Sequence, residues 1–279
     1  MGETKFSVAI SVYKKDNPSF FDQALFSIIE LQTVKPDEIV LVVDGPVGDA
    51  LNLVIDKYVN KYDPFKVIRL KENAGLGNAL KLAVENTSYG IVARMDSDDI
   101  SLPTRFEEQL TFFENGSRVD IVGGDIAEFV DHEENIVAYR KVPKNDSEIK
   151  KYMKFRCPFN HVSVMFRKSA VMAAGGYQDL FWNEDYYLWI RMAENNAIMA
   201  NTGTVLVNVR TGNDMYQRRG GRKYFESEKY LQRYMLRRKM IDRHTYLFNV
   251  LKRWIVQIAL PNSLRGWVFR TFARQRNCQ

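Results

Sequence analysis

The chain has 279 residues, room for one large α/β domain or one domain with an appendage. At 46% hydrophobic and 27% charged it has the make-up of a globular chain with a sizeable core, and no run reaches the roughly 18 apolar residues of a membrane-spanning helix. The net charge of +6 is uneven: residues 1–209 hold 23 Lys and Arg against 30 Asp and Glu, whereas residues 210–279 hold 17 against 4. A polyanionic surface of lipid, nucleic acid or substrate phosphate is therefore expected to meet the last quarter of the chain. Cys157 and Cys278 lie far apart and make neither a disulfide framework nor a metal ligand set, which fits a reducing compartment. The first residues lack the charged-then-apolar layout of a signal peptide, so a cytoplasmic location is expected.

The first half reads as four strand–helix units. A β-rich run at 6–12 precedes Asn17-Pro18, an N-cap with proline at the first helical position. The apolar run 38–43 ends in Asp44-Gly45-Pro46; a helix is expected over 47–61 and a strand at 66–70. The loop 71–75 opens a helix from Leu76, and a strand at 90–94 leads into Asp96-Ser97-Asp98-Asp99. Leu102-Pro103 starts a helix through 113. Continuous apolar strands alternating with helices predict a parallel sheet covered on both faces. Its strand ends (Tyr13 to Asp16, Asp44, Asn73 to Gly75, Asp96 to Asp99) should converge on one crevice.

After residue 115 the strands shorten. Runs at 120–124, 126–130 and 136–140 read as strands, some of them antiparallel. Asn145 and Glu148 resemble a capping box for a helix at 146–155. A strand is expected at 160–166, then a short helix at 168–174 stopped by Gly175-Gly176. Trp182-Asn183-Glu184-Asp185 precedes another helix, strands follow at 197–200 and 205–209, and the last 55 residues read as helices.

Several residues carry chemistry. Asp96, Asp98 and Asp99 repel one another; they either hold a divalent cation or close a turn and cap the next helix. Glu184-Asp185 is either a first-turn pair favoured by the helix dipole or a site for a general base. Asn73, Gly75 and Gly77 make a glycine-containing helix entry that lets backbone N–H groups approach phosphate or ribose. Arg94 pairs with a carboxylate or a phosphate. His161 is either structural or a contact to phosphate, acceptor or metal. Arg218 and Arg219 lie in a basic loop. From 245 to 276, aromatic and basic residues interleave as they do on helices at an anionic membrane surface; packing on the catalytic domain is the alternative.

Five stretches occur in a telling order: Val8-Ala9-Ile10-Ser11-Val12-Tyr13, Val42-Val43-Asp44-Gly45, Asn73-Ala74-Gly75-Leu76-Gly77-Asn78-Ala79, Arg94-Met95-Asp96-Ser97-Asp98-Asp99 and Asn183-Glu184-Asp185-Tyr186-Tyr187-Leu188-Trp189. Over roughly residues 5–210 the chain thereby resembles the family 2 glycosyltransferases, inverting enzymes with the nucleotide-sugar-dependent GT-A fold. The resemblance implies an α/β fold with a mostly parallel central sheet, a smaller antiparallel sheet and a C-terminal helical extension. It divides the chain into a donor-binding half at 1–115, an acceptor-binding half at 116–215 and a basic extension at 216–279. It places Ser11, Tyr13, Asp44, Asn73, Gly75, Arg94, Asp96 and Ser97 around a UDP-sugar, with Mn2+ or Mg2+ on Asp98 and on Asp96 directly or through water. Asp185 becomes the general base and Glu184 its orienting neighbour, with His161, Arg218 and Arg219 as acceptor or phosphate contacts. Ser11 and Lys14 stand where many relatives carry Pro and Asn. The implied acceptor is a saccharide or lipid-linked saccharide used in bacterial surface polysaccharide, met at the inner face of the cytoplasmic membrane; nucleic acid is not expected. A nucleotidyltransferase of similar fold would carry a glycine-rich triphosphate loop where Tyr13-Lys14-Lys15-Asp16 stands. A non-catalytic sugar-nucleotide-binding subunit is the other alternative.

Overall fold

One nine-stranded sheet runs through the computed structural model, which describes residues 4–114, 116–212 and 221–260. The first half is β1 (Phe6–Val12), α1 (Pro18–Ile29), β2 (Glu38–Val43), α2 (Asp49–Val59), β3 (Phe65–Arg69), α3 (Leu76–Glu85) and β4 (Ile91–Met95). β5 (Ile100–Ser101) and α4 (Arg105–Leu110) follow, then β6 (Ile121–Phe129), β7 (Ile136–Arg140) and α5 (Asp146–Met153). The second half closes with β8 (Met165–Arg167), α6 (Lys168–Ala173), α7 (Glu184–Glu194), β9 (Met199–Arg210), α8 (Arg222–Arg237) and α9 (Arg243–Trp254).

β1 pairs in parallel with β2 on one side and β4 on the other, and β2 pairs with β3. The chain thus builds outward to β3 and then returns to the far side of β1. That reversal between β1 and β4 is where an open α/β sheet has its crevice. Both faces are covered, as the apolar strands require. Phe6, Val8, Ile10 and Val12 enter one core with Phe21 and Leu25 of α1 and Leu51 and Ile55 of α2. Ala9 of β1, with Val40 and Val42 of β2, enters the other with Ala79 and Leu80 of α3. This is the two-residue alternation of a strand buried on both sides. Asn17 caps α1, its Oδ1 accepting from Ser19 N at 2.9 Å, with Pro18 at the first position.

Beyond β4 the sheet turns mixed. β8 is antiparallel to β4 and β6, β7 is antiparallel to β6, and β9 is parallel to β6 and antiparallel to β5. The smaller antiparallel portion therefore continues the main sheet. The expected strands at 120–124 and 126–130 are one strand, β6, buried throughout. Its glycines are close approaches rather than a break: a Cβ on Gly123 would lie 2.5 Å from Asn201 Oδ1, and one on Gly124 2.5 Å from Leu206. The runs at 197–200 and 205–209 likewise merge into β9.

The helix expected from Leu102-Pro103 starts at Arg105 instead, because Ile100 and Ser101 pair with β9 and Leu102 N donates to Leu206 O. The strand expected at 160–166 is a 3₁₀ turn, His161–Ser163, followed by the short β8. Ser163 Oγ donates to Asn160 O at 2.8 Å, and Asn160 Nδ2 donates to Gly124 O at 2.8 Å; such local bonds outcompete a ladder. Asn145 stands at the N-cap of α5 without a side-chain cap bond, so the capping box does not form. Gly175 and Gly176, both at positive φ, end α6 as expected, donating to Met172 O and Val171 O at 2.9 Å.

Candidate active site

Four side chains from four elements meet outside the ends of β1 and β4. Arg94, near the end of β4, is 1% exposed, and its Nη2 lies 3.0 Å from Asp96 Oδ1 and 3.7 Å from Asp185 Oδ2. Asp185 sits in the first turn of α7, with Tyr177 Oη donating to its Oδ1 at 3.2 Å. His161, on the 3₁₀ turn, spans the same two carboxylates: Nε2 is 3.3 Å from Asp96 Oδ2 and Nδ1 is 3.7 Å from Asp185 Oδ2. Asp96 and Asp185, 89 positions apart in sequence, thus share one arginine and one histidine.

Charge is distributed unevenly across this cluster. Burial opposes the charge on Arg94, but Asp185 and Asp96 outweigh it and raise its pKa. Burial would also raise Asp96, yet Arg94 and His161 hold it well below the usual carboxylate range. Glu184 behaves differently. Burial, then the charge of Asp185, pushes it up to about 7. Burial and the charge of Asp185 likewise push the Tyr177 phenol up. On the loop after β4, burial and the charges of Asp96 and Asp16 push Asp98 up to about 6. Asp99 is raised too, by burial and its acidic neighbours, and its Oδ1 accepts from Arg210 N at 2.9 Å. It ties the acidic loop to the end of β9 rather than capping a helix.

The strand-end loops are bonded to one another. Asp16 Oδ2 accepts from Tyr13 N at 3.1 Å and from Ser97 Oγ at 2.8 Å, joining the loop after β1 to the loop after β4. Asp44 accepts from Asn73 Nδ2 at 2.8 Å, Ala74 N at 2.6 Å and Gly75 N at 3.1 Å. Asp44, Asn73 and Gly75 are therefore one unit. Gly45 at φ +85° makes that approach feasible, since a Cβ there would lie 2.8 Å from Asn73 N. Ser11 is half-buried and Tyr13 is 38% exposed at the end of β1. Gly77, in the first turn of α3, lies where a Cβ would touch Glu184 Cβ at 3.4 Å, which brings the glycine loop beside the Glu184-Asp185 turn. Arg218 and Arg219 lie outside the described residues.

Sequence reading missed two members of this assembly. Arg105 is fully buried; its guanidinium donates to Arg94 O at 2.6 Å and to Gln109 Oε1 at 3.1 Å, fixing the backbone beneath the acidic loop. Burial, with help from Arg94, lowers its pKa to about 9. Tyr177 is the other. Neither had a signal, because only the fold shows what they touch, whereas Asp16 lies in the strand end expected at the crevice.

Among the described residues, no three Asp, Glu, His or Cys side chains cluster closely enough to hold a metal by themselves. Asp96 is already ion-paired. Asp98 is held among like charges, which a cation would relieve. These residues fit a cation shared with ligand phosphates, the way Mg2+ is usually held through one or two carboxylates.

The sheet order and the carboxylate crevice at its switch point define an α/β protein of GT-A type. Residues 7–181 match the model of Glycosyl transferase family 2, and the chain belongs to this family: it is a glycosyltransferase. It is 42% identical over 271 residues to an uncharacterized glycosyltransferase of Haemophilus influenzae, covering 97% of this chain and all of the relative. It is 38% identical over 271 residues to a UDP-Gal:alpha-D-GlcNAc-diphosphoundecaprenol beta-1,3-galactosyltransferase of Escherichia coli, with 97% of each chain covered. An amylovoran biosynthesis glycosyltransferase, AmsE of Erwinia amylovora, is 40% identical over 83% of this chain and 85% of its own. The fold is that of S. aureus TarS 1-349, solved in complex with UDP-GlcNAc, at a TM-score of 0.67 and 17% identity, covering 96% of this chain and 79% of that one. Family membership answers the nucleotidyltransferase alternative.

Proposed function

We propose that this glycosyltransferase moves a sugar from a UDP-linked donor to a hydroxyl of a lipid-linked saccharide, with inversion, in the assembly of a bacterial surface polysaccharide. The observation that carries the reading is the bridge of Arg94 and His161 between Asp96 and Asp185. It sets a carboxylate of the donor-side loop against one on the helix that faces the acceptor. Sugar transfer needs both, since the leaving diphosphate and the attacking hydroxyl lie on opposite sides of the anomeric carbon. Asp185 takes the acceptor proton as the hydroxyl oxygen attacks, and the nucleoside diphosphate departs with the electron pair of the broken bond. One displacement inverts the centre. Arg94 and Tyr177 fix the Asp185 carboxylate, and Glu184 beside it orients the acceptor. Ser11, Tyr13 and the Asp44–Asn73–Gly75 unit take the nucleoside, and Asp96 and Ser97 the ribose side. Asp98, with Asp96 through water, would hold Mn2+ or Mg2+, which when bound offsets diphosphate charge.

The relatives support donor and acceptor class. The Escherichia coli relative is named for UDP-Gal and a diphosphoundecaprenol-linked GlcNAc, and the Erwinia relative for amylovoran biosynthesis. A lipid-linked acceptor calls for a membrane-facing surface. Leu247, Phe248, Leu251, Trp254, Ile255 and Ile258 lie along one exposed face of α9 and the turn after it. Residues 243–279 carry seven Lys and Arg and no Asp or Glu, so a second copy would meet like charge and an anionic bilayer opposite charge.

A panel of nucleotide sugars, with and without Mn2+, tests the reading; no turnover and no binding of any donor would sink it. Asp185→Asn is expected to lower kcat by about 10²–10⁴-fold with donor affinity unchanged. Retained transfer would remove Asp185 from the role.

A further inference from the structure

Trp182 is the residue that the chemistry above does not use and the fold does not explain. It stands two positions ahead of Glu184, in a turn closed by Asn183 N donating to Leu180 O at 2.7 Å. Its φ is +58°, and it is the one aromatic among the non-glycine residues with positive φ in the described chain. The left-handed region costs a bulky side chain about 1–2 kcal/mol, and such strain persists only where the surroundings enforce it. Here they do: Asn183 Nδ2 donates to Ser227 Oγ at 2.9 Å, and Ser227 Oγ donates to Phe181 O at 2.8 Å. The strain is not spent on burial, since Trp182 is 46% exposed. Its indole lies parallel to the Phe181 ring, with centroids 5.1 Å apart and planes 10° from parallel, and the Tyr224 ring stands 6.1 Å away. Lys223 Nζ sits 4.2 Å over the Phe181 ring. A flat, braced and half-exposed aromatic surface results.

We propose that Trp182, backed by Phe181, is the platform on which a pyranose ring of the acceptor stacks; the proposal rests on the reading of Asp185 as the base. The C–H face of a pyranose is a flat apolar patch that matches an indole. Trp182 and Asp185 are three positions apart in the chain, so their Cα atoms lie at most about 11 Å apart, within reach of one or two linked sugars. A sugar held on the platform thus presents a hydroxyl to Asp185. The strained turn has a purpose on this reading: it aims the ring outward at the end of α7 that carries Glu184 and Asp185.

The test uses the full chain with a UDP-sugar that it turns over and octyl glycosides of N-acetylglucosamine, glucose and galactose as acceptors. Trp182→Gly suits the left-handed backbone and removes the ring, so the turn keeps its shape. It is expected to raise the acceptor KM at least tenfold while donor KM and acceptor-independent donor hydrolysis stay within twofold. Trp182→Phe, which keeps an aromatic face, should recover most of the loss. An unchanged acceptor KM in Trp182→Gly, or donor and acceptor constants rising together, would overturn the platform. Glycoside titration followed by tryptophan fluorescence reads it without catalysis, so Asp185→Asn separates the two claims. If Asp185→Asn still transfers sugar, the base assignment fails; if the wild-type fluorescence change survives in Trp182→Phe, the platform fails.

Discussion

Arg94 faces two carboxylates from a place that water does not reach. Removing one partner of a buried ion pair leaves the others charged and unsolvated, which is why breaking such a pair costs more than making it gains. Arg94→Ala is therefore expected to destabilise the protein by about 3–5 kcal/mol in urea unfolding. Arg94→Lys should recover part of this, since an ammonium keeps the charge but not the fork that meets Asp96 and Asp185 together. A change below about 1 kcal/mol for Arg94→Ala would mean that solvent reaches the cluster. Glu184 gives a pH prediction of opposite character. Its carboxyl rises from 4.5 to about 7 on folding, so the folded chain binds that proton more tightly than the unfolded one. Stability attributable to Glu184 then falls as pH rises from about 4.5 to 7. Glu184→Gln should match wild type below pH 4.5 and exceed it by about 3 kcal/mol at pH 8. A constant difference between the two across that range would contradict the assignment. The sequence showed Arg94, Asp96, His161 and Asp185 because each lies beside an element end with a recognisable pattern. It could not show Arg105 or Tyr177, whose importance comes from burial against residues that only folding brings near.

At the scale of elements, the Glu184-Asp185 turn is held from behind. Ser227 of α8 bonds both Asn183 and Phe181, and α8 is in turn clamped by α9. Arg253 of α9 pairs with Glu228 of α8, and Asn249 Nδ2 donates to Gln232 Oε1 at 2.8 Å. Ser227→Ala leaves the buried Asn183 amide without that acceptor, at about 1–3 kcal/mol. Because that bond sets the angle at which α7 begins, kcat should fall with donor affinity unchanged. Stability loss with unchanged kcat would make α8 a mere support. The same scale shows why the first half was more legible than the second. β1 to β4 are continuous apolar runs separated by caps and prolines, and local pattern suffices. β6 and β9 contain glycines and polar residues that look like breaks; Gly123, Gly124 and Asn201 are there because the two strands cross closely, a relation between residues some 80 positions apart.

For the whole molecule, the division of charge and the exposed face of α9 point in one direction. Hydrophobic residues that are 39–63% exposed along one helix cost solvation in water, and that cost is recovered against a surface that accepts both apolar side chains and positive charge. Phe248 and Leu251 are 60% and 59% exposed, so Phe248→Glu/Leu251→Glu is expected to leave the fold intact. In flotation with phosphatidylglycerol-rich vesicles the full chain should rise with the lipid and the double variant should stay behind. Neutral vesicles should recover less of the wild type, and added salt should release it, since charge attraction at a membrane surface decays within about a Debye length, roughly 8 Å at physiological ionic strength. Turnover of a short water-soluble acceptor should be the same in both proteins, whereas turnover of a lipid-linked acceptor in vesicles should drop with binding. Equal flotation of wild type and variant would move the membrane contact elsewhere on the chain. Equal loss on both acceptors would mean that the face serves the fold and not the bilayer.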